Sequence, residues 1–350
     1  MPLPTGDAKK WTANLLVAEH IQNCVGFLGQ SNDRGDFIPH GTAFFAGLVA
    51  YQRTIPYIVT AKHVLDQIPG DFVVLRVNTI SNSGVRYIRL PRSDWYFHPL
   101  HDEKKNYIDV AVCKTKFDYT DIDMTFFTMG DFLDDGKRKQ FSVGTGDEVV
   151  ITGLFHSHIG RLRNIPVVRI GNIAAMPAER LPTDKGMMEG ILVESRSIGG
   201  VSGSPVFTHL AVRPEKTMVP GQPYPRLDEK PLNKPPFAHY LLGLVHGYYT
   251  INAQDEWVSK TTQQAGDMNT GITLVVPVSK IAETIDQEMV SGNDIKELGE
   301  LDAEMRRRSG VKSASVPSLS AEVHADGNPD HREDFTSLLN AAAKTKPQVD

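Results

Sequence analysis

Three short segments of this sequence carry residue types that can act on one another: a serine among glycines, a histidine leaving an apolar run, and an aspartate entering another. The serine lies in Gly199-Gly200-Val201-Ser202-Gly203-Ser204-Pro205-Val206-Phe207. A nucleophilic alcohol needs an exposed Oγ and backbone N–H groups aimed at one point. Glycines permit the tight, partly left-handed backbone that such an arrangement demands. A glycine two residues before the serine lets the amides of Gly200 and Ser202 converge into an oxyanion hole, where losing one donor typically costs on the order of 3 kcal/mol. The same residues also describe a plain Gly/Ser turn ahead of a strand.

The histidine follows Tyr57-Ile58-Val59-Thr60-Ala61-Lys62, at the point where the chain leaves a β-rich run. His63 offers a base whose proton affinity suits activation of a hydroxyl near neutral pH; it could equally cap a short helix. The aspartate stands in Tyr107-Ile108-Asp109-Val110-Ala111-Val112. A buried carboxylate there is costly unless it is hydrogen-bonded, and holding an imidazole by its Nδ1–H would satisfy it. An exposed Asp at a strand edge is the other reading.

Taken together, the three segments resemble the trypsin/chymotrypsin-like serine peptidases, in particular bacterial trypsin-like domains. That family carries a Thr-Ala-x-His motif, an Asp-aliphatic-Ala-aliphatic motif and a Gly-x-Ser-Gly-(Gly/Ser)-Pro motif. Here they occur in that order, with gaps of 46 and 93 residues between His63, Asp109 and Ser202. Chain order is informative because the same triad occurs in other orders on unrelated folds. Gly41–Phe45 resembles the strand before the histidine motif, and Leu241–Gly247 the strand that pairs with the substrate backbone. Thr270–Val278 followed by a helix resembles the end of bacterial members.

The resemblance, which covers about residues 20–288, implies an all-β fold of two six-stranded antiparallel β-barrels with the triad between them. His63 and Asp109 come from the first barrel; Ser202 and the oxyanion hole come from the second. It implies a serine endopeptidase acting through an acyl-enzyme on protein or peptide substrates, with no cofactor and no metal. The alternative is a catalytically silent or gated member of the fold that serves as a protein-binding module.

Several positions depart from the family pattern. There is no Arg-(Ile/Val)-aliphatic-Gly-Gly activation site, Ser204 stands where Gly is commoner, and Val201 precedes the serine where Asp or Asn is usual. Ser-Gly-Ser-Pro occurs in glutamyl-specific bacterial members. Arg196, six residues before the serine, falls where the primary pocket has its floor and would favour an acidic substrate side chain. His246, between Val245 and Gly247 on the substrate-binding strand, would add to that preference. Arg196 turned outward toward Glu194 or solvent is the competing placement.

The elements that must hold these residues are short. Val-, Ile-, Phe- and Tyr-containing runs recur as Cys24–Leu28, Thr42–Leu48, Pro56–Thr60, Phe72–Val77, Tyr87–Leu90 and Asp109–Lys114. A second series comprises Glu148–Gly153, Val167–Ile170, Gly190–Glu194, Pro205–Thr208, Tyr240–His246 and Ile272–Val276. Their lengths suit strands, and a dozen of them suggest sandwiches or barrels. This places a peptidase domain over 15–290, with barrels at about 20–120 and 140–280 and a linker at roughly 115–145. Ser279–Val290 has Ile281, Ile285 and Met289 at helical spacing. A polar stretch at 209–238 holds seven of the 22 prolines, a length usual for functional or disordered loops.

Residues 291–350 form a helical and partly disordered tail, with 310–332 rich in Ser, Ala, Pro and Asp. Within it, Phe335, Leu338, Leu339 and Ala342 make one apolar stripe. A helix over 333–344 on a flexible tether is a docking element for a regulatory or recruiting partner.

The remaining patterns are weaker. His156-x-His158 is a candidate metal pair with no evident third ligand, and Gly144-Thr145-Gly146 is a turn rather than a phosphate loop. The chain has 350 residues, a net charge of −5 and 23% charged residues. Nothing in that balance asks for nucleic acid or an anionic membrane. No apolar run reaches the length of a membrane span. Two cysteines, Cys24 and Cys113, read as buried thiols in a reducing, cytoplasmic setting.

Overall fold

A computed structural model describes residues 17, 19–50, 53–80, 84–103, 105–155, 158–176, 178–195, 201–211, 216–217, 226–227, 237–251, 257–260, 268–291 and 300. Contacts divide the chain into Met1–Glu300 and Leu301–Asp350, and all described residues belong to the first unit. The tail helix expected at 333–344 therefore lies outside them.

The first half builds one antiparallel sheet from β1 (Val25–Ser31), β2 (Phe37–Ala50), β3 (Arg53–Thr60), β4 (Phe72–Asn78), β5 (Val85–Pro91), β6 (Trp95–Phe97) and β7 (Ala111–Lys114), with β8 (Phe127–Thr128) running parallel to β2. The order across it is β5-β4-β1-β2-β3-β7-β6. This corrects the expectation of a closed six-stranded barrel: eight strands take part, and among the described residues no pairing joins the two outer strands. Yet those outer strands, β5 and β6, are joined by only Arg92–Asp94. A chain that short reaches at most roughly 14 Å from Pro91 to Trp95, so the sheet must curl until its edges nearly meet. Among the described residues the seam is crossed by backbone instead of a hydrogen-bond ladder, and the three residues of β6 pair only with β7.

The second half closes as a ring of six: β9 (Glu148–Gly153), β10 (Val167–Ala175), β11 (Ile191–Glu194), β12 (Pro205–Thr208), β13 (Leu241–Ile251) and β15 (Met268–Pro277). The order is β12-β9-β10-β11-β15-β13, and β12 pairs back onto β13. β14 (Trp257–Lys260) flanks β13. Val149, Ile151, Val193, Val206, Val245 and Val275 fill its interior. β-Branched side chains suit such a pleated, buried surface.

Two helices matter for the site. α1 (Lys62–Asp66) is a single turn after β3, with Lys62, His63, Val64 and Leu65 all buried. α2 (Val278–Ser291) follows β15 and buries Ile281 and Ile285 in the larger apolar core, which draws on strands of both halves. Each such side chain contributes roughly 1.5–3 kcal/mol when removed from water. His98, in the connection after β6, is pinned to this helix: its Nδ1 accepts from Leu100 N at 3.1 Å, so Nε2 donates to Glu283 Oε2 at 2.8 Å. α2 thereby ties the loop ahead of Asp109 to the end of the second ring.

The linker expected at 115–145 contains β8 and a short helix at Asp135–Gln140 capped by Asp134. In the 209–238 stretch, Leu210–Ala211 pairs with Phe237–Ala238, and Lys216–Thr217 with Arg226–Leu227. Both cysteines are buried thiols, and burial pushes the Cys24 thiol pKa up.

Candidate active site

Asp109 sits two residues before β7 and not within it, and its side chain has no solvent exposure. That placement excludes the exposed strand-edge reading. A carboxylate at this depth must be matched by donors, and three reach it. Oδ1 accepts the backbone N–H of His63 at 2.9 Å, and Oδ2 lies 2.6 Å from His63 Nδ1. His63 is the second residue of α1, behind Ala61, which makes no side-chain cap. The imidazole therefore serves the carboxylate and not the helix end.

The third donor is His246. Its Nδ1 is 2.5 Å from the same Oδ2 of Asp109, and its side chain is fully buried. The sequence placed His246 on the substrate-binding strand, facing an acidic substrate side chain. Its imidazole instead points inward, because the free lone pair of a buried carboxylate is the nearest partner. The rings of His63 and His246 meet edge to face, centroids 5.3 Å apart. Burial pushes the Asp109 pKa up, but the two imidazoles, by charge and by hydrogen bond, outweigh it and hold the carboxyl well below the usual carboxylate range. With Nδ1–H engaged, the open nitrogen of each ring is Nε2. Both Nε2 atoms are buried without a hydrogen-bond partner.

Ser202 arrives on a turn locked against the first sheet. Thr42 N donates to Ser202 O at 3.0 Å, and Thr60 Oγ1 donates to Thr42 O at 2.8 Å. Gly203 adopts φ +79°, and a Cβ there would stand 2.2 Å from Thr42 O and 2.5 Å from Thr60 Oγ1. On the other side, Gly203 N donates to Val245 O at 2.8 Å and Val245 N to Ser204 O at 2.9 Å. The serine turn is thus clamped between β2 of one half and β13 of the other. Ser202 Oγ itself donates to the carbonyl of His246 at 3.2 Å. Gly200, the expected oxyanion partner, and Arg196, the expected pocket floor, lie outside the described residues, as does His156.

Among the described residues, His63, Asp109 and His246 are the cluster compact enough to chelate a metal. Their Nδ1–Oδ2 separations of 2.5 and 2.6 Å are those of charge-assisted hydrogen bonds. Two donors bound to one tetrahedral zinc at about 2.0–2.1 Å each would stand roughly 3.3 Å apart. Around the cluster lie Tyr107, whose ring centroid is 6.0 Å from that of His246, and His101, 5.2 Å from Tyr107.

No family model and no curated protein matches this chain. Among solved structures, the apo protease domain of MamO from Magnetospirillum magneticum aligns over 75% of this chain and 96% of that chain, at 14% identity and a TM-score of 0.44. No helix among the described residues is long and apolar enough to cross a membrane.

Proposed function

We propose that this protein is a serine endopeptidase of the trypsin-like type, in which Ser202 is the nucleophile, His63 the base and Asp109 the group that fixes the tautomer of the base and stabilises its imidazolium. The observation that carries the reading is the bond from His63 Nδ1 to fully buried Asp109, with the Ser202 turn clamped between β2 and β13. In this reading the curled sheet and the closed ring are the two barrels of the fold, within a domain spanning 15–290. Residues 291–350 are a tail whose 333–344 helix recruits a partner.

The Ser202 hydroxyl transfers its proton to His63 Nε2 as Oγ forms a bond to the substrate carbonyl carbon. The carbonyl oxygen takes the negative charge and is met by the amides of Gly200 and Ser202. His63 then passes the proton to the leaving amine as the C–N bond breaks, giving an acyl-enzyme that water hydrolyses by the same route. Asp109 keeps the proton on Nδ1, so that Nε2 is the basic nitrogen. Arg196 at the pocket floor would select acidic side chains.

A second reading, a silent fold acting as a binding module, draws on the hydrogen bond from Ser202 Oγ to His246 O. In that arrangement the hydroxyl proton is held away from the base. Labelling by a fluorophosphonate probe separates the two. Covalent modification that vanishes in Ser202→Ala supports the peptidase. A well-folded protein that stays unlabelled, also after removal of 209–238, supports the module.

A further inference from the structure

Serving one catalytic carboxylate with two imidazoles is more than burial requires, since a hydroxyl or a backbone amide would satisfy the second lone pair of Oδ2. We propose that His246 is a positioning residue that tunes the base: its Nδ1–H shares Asp109 Oδ2 with His63 and thereby lowers the affinity of His63 for a proton. The proposal rests on the peptidase reading for its kinetic consequence, but not for its geometry.

The geometry is specific. Each carboxylate oxygen has two acceptor sites. Oδ2 fills both with Nδ1–H groups at 2.6 and 2.5 Å, and Oδ1 takes the His63 amide at 2.9 Å. A neutral donor on Oδ2 stabilises the carboxylate and weakens its pull on the proton of His63. Should His246 itself be protonated, its charge stands one ring away from His63, with centroids 5.3 Å apart, and opposes protonation there. The three groups are therefore coupled through a single carboxylate oxygen.

Other groups facing His246 do not supply this control. From the loop ahead of β7 comes Tyr107, whose pKa burial pushes up, out of the working range. Beyond it lies His101, whose pKa is lowered by burial and by Lys62. Lys62, in α1, is paired with Asp66 and Glu103. Ser202 touches the His246 carbonyl and not its ring. The strand neighbours Leu274 and Val275 on β15 carry no charge.

The test joins spectroscopy and kinetics on the full chain. Nitrogen-15 histidine spectra of the wild type are expected to show two far-downfield Nδ1–H protons, from His63 and His246, each with an unprotonated Nε2. A single such proton, or a His246 protonated on Nε2 alone, overturns the proposal whether or not the protein is a peptidase. Kinetically, the acid limb of fluorophosphonate labelling at Ser202 is expected to move upward by about one pH unit in His246→Leu, where the donor is lost. It should return close to the wild-type position in His246→Asn, which donates without titrating. A limb that stays put in folded His246→Leu, or one that His246→Asn does not restore, overturns the tuning role. Absence of labelling in the wild type, with both downfield protons present, sinks the peptidase reading and leaves the shared carboxylate standing.

Discussion

Ser202 Oγ donates to the backbone carbonyl of His246, 3.2 Å away, while His63 Nε2 is buried with no hydrogen-bond partner. Ser202 and His63 are thus held by separate partners, and on the proposed peptidase reading the hydroxyl must exchange the carbonyl for the imidazole. Whether that exchange yields a nucleophile depends on which nitrogen of His63 carries the proton, and Asp109 decides this.

Asp109→Asn tests that dependence. The Oδ1 position must remain an acceptor, because it faces the His63 backbone N–H. The amide NH2 of the variant is then forced into the place of Oδ2, facing both Nδ1 atoms. Both imidazoles must present lone pairs at Nδ1 and carry their protons on Nε2, so the base is lost with little change of shape. Labelling or turnover should fall on the order of 10⁴-fold, as when the same exchange is made in a serine-protease triad, with the circular dichroism spectrum preserved. A loss of less than tenfold would contradict the role assigned to Asp109.

Gly203→Ala should destabilise the protein by about 2–4 kcal/mol and disable Ser202 as well. The added methyl meets the Thr42 carbonyl and the Thr60 hydroxyl, and φ +79° is strained for alanine. These atoms belong to β2 and the end of β3, so the clash pushes apart the two halves that position the site. Urea unfolding together with the labelling rate checks both effects. An alanine variant of wild-type stability would show that the turn can relax.

How much of this could be read beforehand varies with how local the signal is. The strand runs follow from alternation and β-branching and were legible, while the motifs of a few residues around His63, Asp109 and Ser202 named candidates of which the fold joins His63 to Asp109 by a hydrogen bond. The Asp109 neighbourhood was legible only by type: nothing local distinguishes a carboxylate buried before β7 from one on an exposed edge. His246 was misplaced because strand alternation tells which residues share a face but not what waits opposite, and Asp109 is 137 residues away. The open seam between β5 and β6 was likewise invisible. Strand pairing is non-local, and the three residues that bridge the seam look like any other turn.

Arg76 is another long-range feature that no motif announces. It is 2% exposed, and its guanidinium donates to Asn164 Oδ1 at 2.6 Å, Gly160 O at 2.8 Å and Ile159 O at 3.2 Å. Those acceptors all lie in the segment between β9 and β10, so one side chain of β4 fastens that segment to the first sheet. Arg76→Leu would leave buried acceptors without donors, at an expected cost of about 3 kcal/mol in global stability. Proteolysis should report it locally: Leu162 at the tip is 76% exposed, and cleavage after Arg161 or Arg163 should accelerate. Unchanged cleavage kinetics in the variant would mean that the segment is held by something other than Arg76.

Acid should weaken the contact formed by His20, His209 and His239 before it reaches the Asp109 carboxylate. Burial, then the charges of His209 and His20, lower the His239 pKa from 6.5 to about 4, and burial also lowers those of His20 and His209. Rings meet edge to face, centroids 4.9 Å apart between His209 and His239 and 6.1 Å between His20 and His239. Between pH 6.5 and 4 the unfolded chain binds a proton at His239 that the folded chain refuses. Stability therefore falls as pH drops through that window, and His239 adds no further loss below it. Asp109 acts lower down. Its folded pKa is depressed, so its contribution is complete above the unfolded value of 3.8 and declines only as pH falls below that. His239→Phe keeps an aromatic ring in the edge-to-face contact and removes the titration. Its urea midpoint should fall less than that of the wild type between pH 7 and pH 5. Equal losses in the two proteins would show that the proton is taken up elsewhere.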